Sequence, residues 1–229
     1  MKIRSQSAFT LIEMLVVISI IAVLAAFAVP ALTSALTKGQ MTGTMNNGRQ
    51  LYLAAQQMAL DGAANGDPAL AWPGDYNPAP ATLAAYMSTL VANDYLKAGD
   101  VQKLLSGPGA SVTVTPVAGP PPSVTLAGVA ALKVYLVTES DAANAIFAVS
   151  RNYDYDTALV AAVGGAPNNP FGQKGFIVQR KGGDASILRA NNATVVAGNT
   201  ATFESQVGKK PGEAQGTVTQ GDPGGTLKL

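Results

Sequence analysis

The chain has 229 residues, enough for one domain with a modest core. It contains no cysteine and no histidine, which excludes disulfides, zinc centres, Ser-His-Asp triads and Cys-His dyads built from this chain alone. Only 13% of residues are charged, and 15 basic against 14 acidic side chains leave a net charge of +1, with no basic tract to favour nucleic acid.

The chain opens with a polar leader, residues 1–8, that carries Lys2 and Arg4. Phe9-Thr10-Leu11-Ile12-Glu13 follows, and from Met14 to Thr37 there is no charged residue. A helix over Met14 to Leu32 matches the roughly 30 Å of a bilayer's hydrocarbon. The two leader cations put that flank in the cytoplasm by the positive-inside rule.

Three readings fit this segment. One is a plain signal anchor. Another is a secretory signal peptide cut after Ala28, leaving a soluble protein. Glu13 speaks against both, because a carboxylate at the edge of an apolar run is costly and points to function. The alternative for Glu13 is a flanking charge outside the bilayer.

The third reading accounts for Glu13. The run Ala8-Phe9-Thr10-Leu11-Ile12-Glu13-Met14 resembles the processing motif of type IV pilins and type II secretion pseudopilins. The resemblance implies that a prepilin peptidase cuts between Ala8 and Phe9 and that Phe9 is then N-methylated. Ala8 departs from the glycine usual before the cut. Pro30, twenty-one residues after Phe9, matches a proline common in the family. In an assembled filament the Glu13 carboxylate of one subunit would meet the Phe9 amine of its neighbour, so that each buried charge has a partner and the pair sets the axial register. Pro30, without an amide donor, would kink or locally open the helix; its alternative is a helix start after a cleaved signal peptide.

Residues 31 to about 61 extend the helix, weakened by Gly39, Gly43 and Gly48 and ending near Asp61-Gly62. Residues 62–81 form a loop, with Trp72 as a plug over a helix–sheet junction. Thr82 to Leu105 reads as one or two core-packing helices broken at Lys97-Ala98-Gly99-Asp100. From Gly107 to Pro122 the chain is a Gly/Pro-rich surface excursion with an edge strand at Val112 to Thr115. Strands follow at 132–137, 145–150, 175–180 and 186–189, an antiparallel meander needing one covered face. Arg180, Lys181 and Arg189 read as surface charge.

The expected fold is α+β and pilin-like: a long N-terminal helix, its first half membrane-spanning (9–32), packed on a small antiparallel β-sheet head (33–189). A flexible C-terminal tail is expected over 190–229. Asp154 and Asp156, alternating with Tyr153 and Tyr155, are candidate oxygen ligands for calcium, with solvated turn acids as the alternative. The resemblance supplies an echo, since some major pseudopilins hold calcium in a loop of the head. No other cofactor is implied.

The family reading implies a structural subunit rather than an enzyme. Its partners would be prepilin peptidase, other pilin or pseudopilin subunits and an inner-membrane assembly platform. The chain would cross the inner membrane once, with the leader cytoplasmic and the head periplasmic. The lack of cysteine favours a pseudopilin, because many type IVa pilins close a C-terminal loop with a disulfide. The alternative is a secreted soluble, adhesive or DNA-uptake binding protein.

Overall fold

In a computed structural model the described residues are 9–76, 82–160, 171–222, 225–227 and 229. The chain forms two units, Met1–Gly39 and Gln40–Leu229. The first includes the opening part of helix α1, which runs from Leu11 to Asn65. The second is an α+β head.

Within the head, α1 buries Met41, Thr44, Gly48, Leu51, Ala55, Met58 and Gly62, a three-and-four spacing that lays one stripe of the helix on the core. The glycines do not end the helix. At Gly62 the reason is steric: a Cβ there would sit 1.7 Å from the Leu70 carbonyl oxygen. Only glycine lets the returning loop pass so close, and α1 continues to Asn65. Trp72 seals this junction as expected. It is 5% exposed and packs at 6.0 Å from both Tyr52 of α1 and Phe147 of the sheet.

Two short helices follow, α2 (Leu83–Ala92) and α3 (Ala98–Leu105); they part at residues 93–97, earlier than the break expected at Lys97-Ala98-Gly99-Asp100, of which only Lys97 lies outside α3. Thr82 caps α2 by accepting from the Ala85 amide. The strand expected at Val112 to Thr115 is present as β1 (Val112–Val117), and it pairs in antiparallel register with a second strand, β2 (Ser123–Gly128), to make the surface excursion a hairpin. Strand β2 was not foreseen because Val124 is its only fully buried position, too little for a periodic signal. The Ser88 hydroxyl of α2 accepts the Val124 amide at 3.0 Å and fixes the hairpin to the helix.

The main sheet has the order β3-β4-β5-β6, an antiparallel meander as the sequence suggests. Its strands are β3 (Leu132–Val134), β4 (Ile146–Ser150), β5 (Phe176–Arg180) and β6 (Ala185–Leu188). Strand β3 ends at Val134, a last bond to β4 runs from the Tyr135 N–H to the Phe147 carbonyl at 2.8 Å, and the chain around and beyond it takes new partners from the C-terminus. Leu136 N–H donates to the Gly225 carbonyl and Leu227 N–H to that of Val134.

Residues 190–222 do not form the expected flexible tail. After a 3-10 turn (Ala190–Asn192) comes helix α4 (Thr200–Gln206). Ala193, Phe203 and Val207 are buried in a second core with Tyr135, Ile146, Val149, Tyr153, Tyr155, Phe176 and Val178. Strands β4 and β5 are buried along their whole length, so both faces of the sheet need cover. Helix α1 covers one face and the C-terminal segment the other. Its few apolar residues suffice because Phe176 of β5 and the tyrosines that follow β3 and β4 (Tyr135, Tyr153 and Tyr155) bring large aromatic side chains to the same core.

Arg180 is not surface charge. It is 5% exposed, and its guanidinium donates to the Asp184 carboxylate, the Ser186 hydroxyl and the Gln206 carbonyl, tying β5 to the end of α4.

Candidate assembly site

The N-terminal unit has the chemistry of a surface that seeks an apolar partner. Every described residue from Phe9 to Leu36 is exposed, among them Leu11, Ile18, Leu24, Phe27 and Leu32. The helix is long and apolar enough to cross a membrane, and none of its most apolar stretch is buried within the chain. Polar side chains there bond back to their own helix: Ser19 Oγ to the Val16 carbonyl at 2.7 Å and Thr33 Oγ1 to that of Pro30 at 2.9 Å. Such internal satisfaction is what a helix in hydrocarbon requires.

Glu13 opens this helix. Its Oε2 accepts from the Thr10 amide at 2.8 Å and from the Thr10 hydroxyl at 2.7 Å, while the Glu13 amide approaches Thr10 Oγ1 at 3.3 Å. This is a capping box, with Thr10 as the N-cap and Glu13 at the third helical position. The T-x-x-E signal for this cap stands in the sequence at Thr10-Leu11-Ile12-Glu13 and makes Thr10 a further residue of the site. Both bonds use Oε2, and Oε1 has no hydrogen-bond partner among the described residues. The carboxylate is therefore oriented by its own chain and still able to accept from another.

Phe9 is 75% exposed and immediately precedes the N-cap, one helical turn from Glu13. Ala8 and the rest of the leader lie outside the described residues. Pro30 lies inside α1, which stays helical through it. Proline offers no N–H, so the Ala26 carbonyl lacks its usual donor four residues on, a local opening of the ladder without a break in the helix.

The two acids proposed for calcium turn to different partners. Asp154 Oδ1 lies 2.5 Å from Lys133 Nζ, and Asp156 Oδ1 accepts from the Val195 amide at 2.7 Å. Asp156 has a positive φ of 51°. Lys133 also lies 2.6 Å from Asp222 Oδ2, so an ammonium already supplies the positive charge beside Asp154. No group of three or more potential metal-ligating side chains is gathered among the described residues.

Asp222 also accepts the Tyr135 hydroxyl and, at 3.2 Å, the Tyr155 amide. Burial is the largest single influence on its carboxyl and acts to raise its pKa. The Lys133 charge and hydrogen bonds from Lys133, Tyr135 and Tyr155 together outweigh it and hold the pKa below the ordinary value. The same burial and the facing Asp222 carboxylate push the Tyr135 phenol well above its usual range.

Residues 3–29 match the family model for the prokaryotic N-terminal methylation motif. Over 69 residues the chain is 35% identical to the type IV major fimbrial protein FimA of Dichelobacter nodosus. That stretch is 30% of this chain and 44% of the fimbrial protein, so the match spans less than half of the relative's length. No solved structure matches the chain.

Proposed function

We propose that this type IV pilin-like chain, which carries the N-terminal methylation motif, is a structural subunit of a type II secretion pseudopilus or type IV pilus-like filament. The observation that carries the reading is the apolar stretch of α1 exposed through Leu36, whose single carboxylate, Glu13, is pre-oriented at the first turn. Before assembly that surface sits in the inner membrane, with the leader cytoplasmic and the head periplasmic. Prepilin peptidase removes residues 1–8, and the methylated Phe9 amine becomes the charge that Glu13 of a neighbouring subunit meets. In the filament the apolar helices bury one another, and an unpaired Glu13 or Phe9 amine would be left uncompensated in low dielectric. This favours one axial offset between subunits. An inner-membrane assembly platform drives extraction.

The exposed aliphatic surface cannot by itself distinguish an anchor from a signal peptide; the Glu13 carboxylate is what supports assembly. Intact mass of the protein extracted from membranes tests the reading. A mature chain starting at N-methylated Phe9 is the expected result. A start at Val29 overturns the proposal in favour of a secreted soluble protein, and an uncut Met1 reduces the segment to an anchor.

A further inference from the structure

The head carries a cavity of about 530 Å³ beside the C-terminal end of α1. One wall is helix surface kept low by small residues, Ala59 and Ala63 among them, and Leu70 and Trp72 close the apolar part. Three carboxylates, of Asp67, Asp75 and Glu139, line the same cavity. Each engages one oxygen within the chain. Asp67 Oδ1 accepts the Ala69 amide, Asp75 Oδ2 the Glu139 amide, and Glu139 Oε2 the Trp72 indole N–H at 2.6 Å. The second oxygen of each has no hydrogen-bond partner among the described residues.

Lys181 stands close by and offsets part of this charge. Its Nζ donates to the Glu139 and Asp141 carbonyls, lies 3.9 Å from Glu139 Oε2, and sits 5.7 Å from the centre of the Trp72 ring. One ammonium against three carboxylates leaves the lining net negative. The Trp72 ring already attracts a cation of its own chain, as an electron-rich face does. An apolar floor under an acidic rim is matched by a molecule with the opposite arrangement, an apolar body that ends in a positive charge. The volume is that of a small-molecule site.

We propose that this cavity binds a small organic cation with an apolar body, its hydrocarbon against Leu70 and Trp72 and its ammonium among Asp67, Asp75 and Glu139. The proposal is independent of filament assembly, because every residue involved lies within the head.

Trp72 is the sole tryptophan, so its fluorescence in the full-length chain in detergent reports on the site directly. Phenethylammonium should give a saturable change, and uncharged 2-phenylethanol should bind about tenfold more weakly, the worth of a few partly exposed charge contacts. The double variant Asp67→Asn/Glu139→Gln should lose most of that tenfold preference for the ammonium. Ala63→Leu, at an exposed helix position, should fill the cavity and abolish the response while the thermal transition is retained. Equal binding of amine and alcohol, no saturable change, or an unaltered response in Ala63→Leu would each overturn the proposal.

Discussion

Lys133 Nζ lies 2.6 Å from Asp222 Oδ2, a contact that joins β3 to a residue 89 positions later, with the two side chains only 12% and 9% exposed. In a chain without cysteine this pair, with Tyr135 on the same carboxylate, clasps the C-terminal segment to the sheet. A buried pair that loses one partner leaves the other charge uncompensated, whereas exposed pairs contribute little.

The clasp should be sensitive to acid. Asp222 is held below the ordinary carboxylate pKa, so its stabilising effect is complete above about pH 4 and is lost as pH falls through the lowered value. Asp222→Asn should cost about 1–3 kcal/mol at neutral pH, less than a fully isolated pair because Lys133 keeps Asp154. The same variant should flatten the acid limb of the stability profile. Chemical denaturation of wild type and variant between neutral pH and pH 3 measures both effects. An acid limb of unchanged steepness in the variant would assign the acid sensitivity to other groups.

Glu13→Ala should reach the membrane and be trimmed normally, since the apolar run from Met14 and the proposed Ala8-Phe9 junction are unaltered. Filament yield should nevertheless fall to background if Glu13 has the proposed register role, because the variant loses both the Thr10 capping contact and the carboxylate. Membrane fractionation, intact mass and sheared-filament recovery separate the steps. Normal filament yield from this variant would refute the register role.

Glycine-to-alanine substitution should have opposite signs at two points of the same helix. At Gly43 an added Cβ meets nothing within 4 Å, so alanine should stabilise the chain by up to about 1 kcal/mol through helix propensity. At Gly62 the Cβ would sit 1.7 Å from the Leu70 carbonyl oxygen, and backbone must move. Gly62→Ala should cost about 1–3 kcal/mol net despite the better propensity. Denaturant midpoints of the two variants decide it, and a stabilised Gly62→Ala would show that the loop over α1 yields freely.

Truncation after Arg189 should abolish the folded head rather than trim it. Phe203 is 5% exposed and packs at 5.4 Å from Tyr155, so even Phe203→Ala should cost about 3–5 kcal/mol. Resistance to limited proteolysis reads out both variants. A truncated head as resistant as the full chain would return residues 190–229 to the status of an appendage.

The elements legible in the sequence are those whose signal is local. The uncharged run from Met14, the placement of Glu13 against it and the T-x-x-E cap depend only on neighbours along the chain. So do the three-and-four spacing of α2 and the apolar runs of β4 and β5. From these alone the α+β plan and the N-terminal motif follow. What the sequence could not display is cover supplied from a distance. Phe203 and Val207 look isolated in a polar stretch, and Val124 looks like one apolar residue in a loop. Each becomes core only because the tertiary fold brings the tyrosines that follow β3 and β4, or helix α2, against it. Arg180 likewise reads as surface charge until Asp184 and the end of α4 surround it, and the Lys133 that pairs with Asp154 stands 21 positions earlier in the chain. Hydrophobic periodicity is written one residue at a time. Desolvation and charge pairing are set by neighbours tens of residues away, and only the tertiary structure names them.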